Sequence, residues 1–326
     1  MQQLRDILET RQIAIYLCAV VLAAATALLI PGTTTLEAAI NPALALMLYV
    51  TFLQVPLAEL RRAFGQIRFL LALLLANFGV IPLLAAGLIQ FLPDDPMIRL
   101  GVLLVLLTPC IDYVVTFAHL GRADARLLLA ATPALLLVQM LLLPAYLSVF
   151  LGENAAKLVQ VGPFVHAFVW LIAIPLALAV GTQWWATRNA AGSRMASTLG
   201  LLPVPATALV LFVVIAAVVP QLGTALGTAL AVIPIYIVFA LTAPLLGWLV
   251  SRAFRLDTKA GRSIAFSTGT RNSLVVLPLA LAVPGAVPIL PAIIVTQTLV
   301  ELLSELVYVR LIAKLGADSS GDPHAP

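Results

Sequence analysis

Ten mostly apolar blocks, each close to the roughly 20 residues that a helix needs to cross the hydrocarbon core of a bilayer, follow one another along this chain of 326 residues. They cover approximately 13–30, 38–58, 69–92, 100–119, 127–151, 163–182, 199–220, 228–250, 263–283 and 287–309. The connections are short and leave no length for a soluble domain. A segment in lipid must satisfy its backbone hydrogen bonds internally, so the expected fold class is an all-α polytopic membrane protein. Only 10% of the residues are charged, against about 25% in ordinary soluble domains, which excludes a soluble globular enzyme. The two cysteines, Cys18 and Cys110, both lie in apolar stretches and imply no disulfide scaffold. The first block follows Arg5 and Arg11 and reads as a retained helix, because no convincing cleavage site precedes the second.

The net charge is +4. Its basic residues are scattered between apolar blocks with no aromatic-interleaved cluster, so nucleic acid is not an expected partner. They act as topology signals instead. With the N-terminus inside, the cytoplasmic segments hold 15 of the 18 Lys and Arg residues, including Arg61, Arg62, Arg68, Arg122 and Arg126. Arg99 and Lys157 fall outside, and Arg271 lies within a span. Short loops rich in these residues stay cytoplasmic, so both termini are expected in the cytoplasm of a multi-pass protein of the cell membrane, the inner membrane where there are two.

The blocks also repeat. A shift of five spans pairs the second with the seventh, the third with the eighth and the fifth with the tenth, and an odd shift inverts the copy. The expected organisation is residues 1–152 as a first five-helix repeat, 153–314 as a second, inverted one, and 315–326 as a disordered cytoplasmic tail. Within it the fourth and ninth spans are interrupted. The fourth reads LLTPCIDYVVTFAHL, with helix breaks at Thr108 and Pro109 beside Cys110, Asp112 and Tyr113. The ninth reads IAFSTGTRNSLVVLPLAL, with breaks at Gly269 and Thr270 beside Arg271, Asn272 and Ser273. Broken helices of this kind are expected to cross at the bilayer midplane, where freed backbone groups hold a substrate or ion.

Ionisable residues inside a membrane are costly and need a partner or a water-filled cavity. Four stand out: Asp112, Arg271, Glu301 and Glu305. Asp112 and Arg271 occupy near-equivalent places in the two repeats and are expected to form an ion pair, either as a buttress or in contact with substrate. In the tenth span Gln297, Glu301 and Glu305 recur at i, i+4 and i+8, a polar helix face that should point into the bundle. Glu301, the deeper acid, is a candidate proton carrier, and Glu305 is expected to pair with Arg310. Cys18 reads as a packing residue, and His119 and His166 as structural. Cys110 differs because a thiol at a helix break can meet a ligand. No hydrolytic triad, phosphate loop or zinc spacing is present, so neither enzyme activity nor a cofactor is expected. Transport must then be driven by a gradient or by an outside partner.

At the broken helices the sequence resembles the arsenite efflux permeases of the bile acid:sodium symporter and arsenite carrier superfamily. CIDYVVTFAHLGRAD is similar to their fourth-helix segment, IAFSTGTRNSLVVLPLALAV to their asparagine-rich ninth helix, and QTLVELLSELVYV to their tenth, with its glutamate at Glu301. The more distant bile acid:sodium symporters carry a ninth-helix Gly-x-Gln-Asn similar to Gly269-Thr270-Arg271-Asn272. All ten spans are covered, and these stretches carry the specificity. The resemblance implies a ten-helix inverted-repeat carrier in which helices three to five and eight to ten move against a panel of one, two, six and seven. It also exposes departures. The ninth-helix glutamate of the arsenite permeases falls at Leu274, and positions matching sodium ligands of the symporters hold Ser267 and Arg271, where a cation is repelled.

These observations lead to a secondary transporter with a small-molecule or oxyanion substrate, the bilayer as its partner and protons as the candidate coupling ion. The expected function is antiport that expels arsenite and confers arsenical resistance, with Cys110 as a transient ligand to soft trivalent arsenic. The alternative is an organic-anion carrier that binds a carboxylate or sulfonate near Arg271. Nothing in the sequence supports a non-transporting receptor or scaffold.

Overall fold

The computed structural model of the protein describes residues 2–54, 65–111, 113–152, 162, 165–166, 169–281 and 283–316. Arg61, Arg62, Asp112, Lys157 and the tail from 317 lie outside them. The chain is 85% helical and contains no strand among the described residues. In order the helices are α1 (Gln2–Leu29), α2 (Glu37–Leu53), α3 (Ile67–Phe91), α4 (Pro96–Leu106), α5 (Val114–Leu120), α6 (Ala125–Leu151), α7 (Ile174–Ala186), α8 (Ala190–Leu199), α9 (Pro203–Val218), α10 (Leu226–Ala253), α11 (Thr258–Gly269), α12 (Ser273–Leu281) and α13 (Ile289–Leu311).

Local chemistry sets several of the starts. Asp95 accepts hydrogen bonds from the backbone N–H groups of Met97 (2.8 Å) and Ile98 (3.3 Å), with Pro96 at the first position of α4. Asp124 does the same for α6 through Leu127 N, Asn189 for α8 through Gly192 N and Asp257 for α11 through Ala260 N. Each satisfies a donor that has no partner inside its own helix.

Among the described residues seven helices are long and apolar enough to cross a membrane: Thr10–Leu29, Thr33–Leu53, Ile67–Phe91, Ala125–Leu151, Pro203–Gln221, Leu226–Ala253 and Ile289–Lys314. The remaining three blocks of the sequence do not form single long helices there. Block 100–119 is divided between α4 and α5 and block 263–283 between α11 and α12, while the start of block 163–182 lies outside the described residues. Large apolar side chains cover the outer surface, with Leu29 80% and Leu141 77% exposed. That inversion of the soluble pattern fits a solvent made of lipid tails. Cys18 also faces outward on α1, so it is not an interior packing residue.

The helices pack in two groups. α9 packs against α1 and α2, and α2 against α7. α10 packs against α11 and α13, and α13 against α4 and α12. The α10–α11 contact is close because Gly247 lacks a side chain, and a Cβ there would stand 2.1 Å from Thr268 Oγ1.

Candidate functional site

The fourth span stops being helical where the residue before a proline is pushed out of the helical region and the proline has no N–H to give. α4 ends at Leu106, and the Thr108 hydroxyl folds back onto Leu104 O (2.8 Å) and Val105 O (3.0 Å). α11 ends at Gly269, and Thr270 is extended, its hydroxyl bonded to Phe266 O at 2.7 Å. The two breaks then pair with each other. Pro109 and Arg271 face across a short antiparallel bridge, in which Cys110 N donates to Thr270 O (3.1 Å) and Asn272 N to Thr108 O (2.8 Å). Backbone groups released by one interruption are thus satisfied by the other, which a buried site requires.

The numbering of this bridge is regular. Positions 109 and 271, 110 and 272, and 108 and 270 stand at one constant separation. The helix-capping residues Asp95 and Asp257 stand at the same separation. Pro109 is thus the residue that faces Arg271 in the bridge. Asp112 itself, with its expected ion pair, lies outside the described residues.

Arg271 is fully buried. Its Nη1 donates to Leu106 O (3.2 Å), and Nη2 to Ser267 O (2.5 Å), Thr268 O (2.9 Å) and Asn77 Oδ1 (2.9 Å), leaving only Nε without a partner. The three carbonyls belong to the last turns of α4 and α11, where unpaired oxygens and the helix dipole concentrate negative charge. One guanidinium therefore closes both half-helices. Asn77, absent from the sequence-based site, completes it from α3, where a π-helical turn spans Ala76–Val80. Its Nδ2 also donates to Ser267 Oγ at 3.0 Å. The available signal was an amide in the middle of an apolar block whose other amide, Gln90, stands near its end, and π turns recur at functional sites.

The polar face of α13 meets the same breaks. Gln297, Glu301 and Glu305 are all buried. Glu301 Oε2 accepts from Arg271 N and Gln297 Nε2, both at 2.6 Å, while Oε1 accepts from the Tyr113 hydroxyl. Gln297 Oε1 in turn bonds the Ser273 hydroxyl. Tyr113, Arg271, Ser273, Gln297 and Glu301 thus form one network joining three helical segments. Asn272 is also buried here, its side-chain nitrogen without a partner.

Glu305 departs from expectation. It accepts the Thr270 hydroxyl at 2.5 Å and does not pair with Arg310, which is exposed. Five residues along a helix with about 3.6 per turn put the two side chains on nearly opposite faces. His119 and His166 are exposed. Cys110 is fully enclosed between the breaks, and among the described residues no group of three or more His, Cys, Asp or Glu could hold a metal.

A cavity of about 40 Å³ approaches this network from the end of the molecule where Arg5 lies. Gln12 and Tyr16 of α1, Thr51 of α2, Thr207 of α9, and Tyr113 and Thr116 line it. Among the described residues no acidic side chain does, and the buried Gln12 Nε2 has no partner. Tyr113 belongs to both the cavity wall and the buried network.

Two comparisons bear on this arrangement. The family profile described as Sodium Bile acid symporter family matches residues 41–225. No curated protein matches the chain.

Proposed function

Because the chain belongs to the sodium bile acid symporter family, a family of membrane transporters of small molecules, we propose that it is a ten-span inverted-repeat secondary carrier that expels trivalent arsenic. The paired breaks support the repeat, because their two reciprocal hydrogen bonds exchange under the same shift in numbering that relates Asp95 to Asp257. The two packing groups support a core that moves against a panel. The cargo reading rests on one observation: Cys110 sits in the non-helical segment that joins both interrupted helices, its backbone tied to Thr270. A soft trivalent ion needs a thiol, and a single thiol suits transient capture and release. The thiol is enclosed in this conformation, so capture accompanies the core's movement.

The test is arsenite accumulation in cells stripped of their own efflux systems, with the wild type and Cys110→Ser at matched expression. Lower accumulation that the serine variant abolishes supports thiol-dependent efflux. No effect of either protein removes arsenite as the cargo.

A second reading, an organic-anion carrier, is favoured by the hydroxyl and amide donors that line the cavity. Its carboxylate would meet Gln12 and the cavity hydroxyls rather than Arg271, whose guanidinium is enclosed and committed to four oxygens. Sodium coupling at that place is not part of either reading.

A further inference from the structure

We propose that the Tyr113 hydroxyl is the gate through which Glu301 exchanges protons with the cavity, and that Tyr113 is in this sense a positioning residue for coupling. The inference rests on the reading of Glu301 as a proton carrier and adds the route and the switch. Glu301 is 2% exposed and has no surface of its own on the cavity. Tyr113 lines the cavity and donates its hydroxyl to Glu301 Oε1, so it spans the distance between water and acid.

The hydrogen bonds decide where a proton lands. Oε2 already accepts two N–H groups, from Arg271 and Gln297. Oε1 has room, so protonation occurs on the oxygen facing Tyr113. In the transfer, Tyr113 passes its hydroxyl proton to Oε1 and takes one from hydronium in the cavity. Two O–H bonds break, that of Tyr113 and one of the hydronium, and two form, on Glu301 Oε1 and on the tyrosine oxygen. Water is left behind, and the negative charge of the carboxylate and the positive charge of the hydronium cancel. The carboxylic acid then donates to Tyr113, whose own proton turns to the Arg271 carbonyl, 3.5 Å away and already within reach. The protonation state of Glu301 is thereby transmitted to the ninth-span break.

The surroundings confine this exchange. The groups facing Glu301 are Arg271 and Tyr113 across the breaks and Glu305 and Tyr308 on its own helix. Among the other helices packed against α13, α9 and α12 carry no Lys, Arg, Asp, Glu, His, Cys or Tyr. α4 carries Arg99, paired with Asp94 at 2.9 Å, α5 carries exposed His119 at its far end, and α10 carries Tyr236 and, at its last turn, Arg252.

The test is infrared difference spectroscopy of the full-length protein in lipid nanodiscs without cargo. The carboxylic C=O band that Glu301→Gln removes is followed after transfer to D2O. In Tyr113→Phe, at unchanged melting temperature, deuteration of that band slows by about a hundredfold, the size of a lost proton-transfer group. Blocking the cavity side with Thr116→Phe slows it as well, which covers failure of the first variant to assemble. An unchanged rate in both variants overturns the proposal, as does the absence of any Glu301 band across the pH range. Because no cargo is used, loss of the arsenite reading leaves this result untouched, and failure here leaves thiol-dependent efflux standing.

Discussion

The carboxylate of Glu301 meets Arg271 at the backbone N–H, 2.6 Å away, while the guanidinium of the same residue bonds the Leu106, Ser267 and Thr268 carbonyls and closes two helix ends. One residue thus divides its polar groups between α13 and the interrupted pair. The arrangement makes the cation a structural element of the crossing, and the acid is left facing Tyr113.

Arg271 should therefore be sensitive to shape as well as charge. Arg271→Leu orphans carbonyls of both half-helices, each costing about 1–3 kcal/mol when buried and unpaired. We expect no folded protein by size-exclusion chromatography. Arg271→Lys keeps the charge but cannot reach α4, α11 and Asn77 together, so it should assemble with a clearly lowered melting temperature. An unaltered melting temperature in Arg271→Lys would contradict the closing role.

Asn77 tests the contact that only the fold reveals. Asn77→Leu removes the acceptor of one Nη2 bond and the donor to Ser267, and is expected to destabilise by about 1–3 kcal/mol. Asn77→Asp preserves the acceptor and adds an opposite charge, so its melting temperature should exceed that of the leucine variant.

At Glu305 the expected order is Gln above Ala. Glu305→Gln retains an oxygen for the Thr270 hydroxyl, whereas Glu305→Ala leaves that hydroxyl with the Phe266 carbonyl as its remaining partner and opens a void. Thermal melting in detergent checks the order. Arg310→Ala, by contrast, should leave the melting temperature unchanged.

Gly269 marks a second close approach. A Cβ there would stand 2.8 Å from both Pro244 Cγ and Tyr308 Cε2, so Gly269→Ala should cost about 1–3 kcal/mol through overpacking. Gly87→Ala, with nothing within 4 Å of its Cβ position, serves as the control and should melt like the wild type.

The sequence by itself determined that the chain is helical and membrane-embedded, where α4 and α11 stop, and which face of α13 is buried. These are local matters. Hydropathy, a threonine before a proline, a glycine at a helix end and a four-residue spacing act within a turn or two of chain. Only the tertiary structure decided what the buried polar groups touch. Glu305 chose Thr270 over Arg310 because helical rotation separates positions five apart. Arg271 found Asn77 and the end of α4 because three segments remote in sequence converge there. Hydrogen bonding in a dry interior is settled by which donors and acceptors are brought within reach, and no local pattern encodes that.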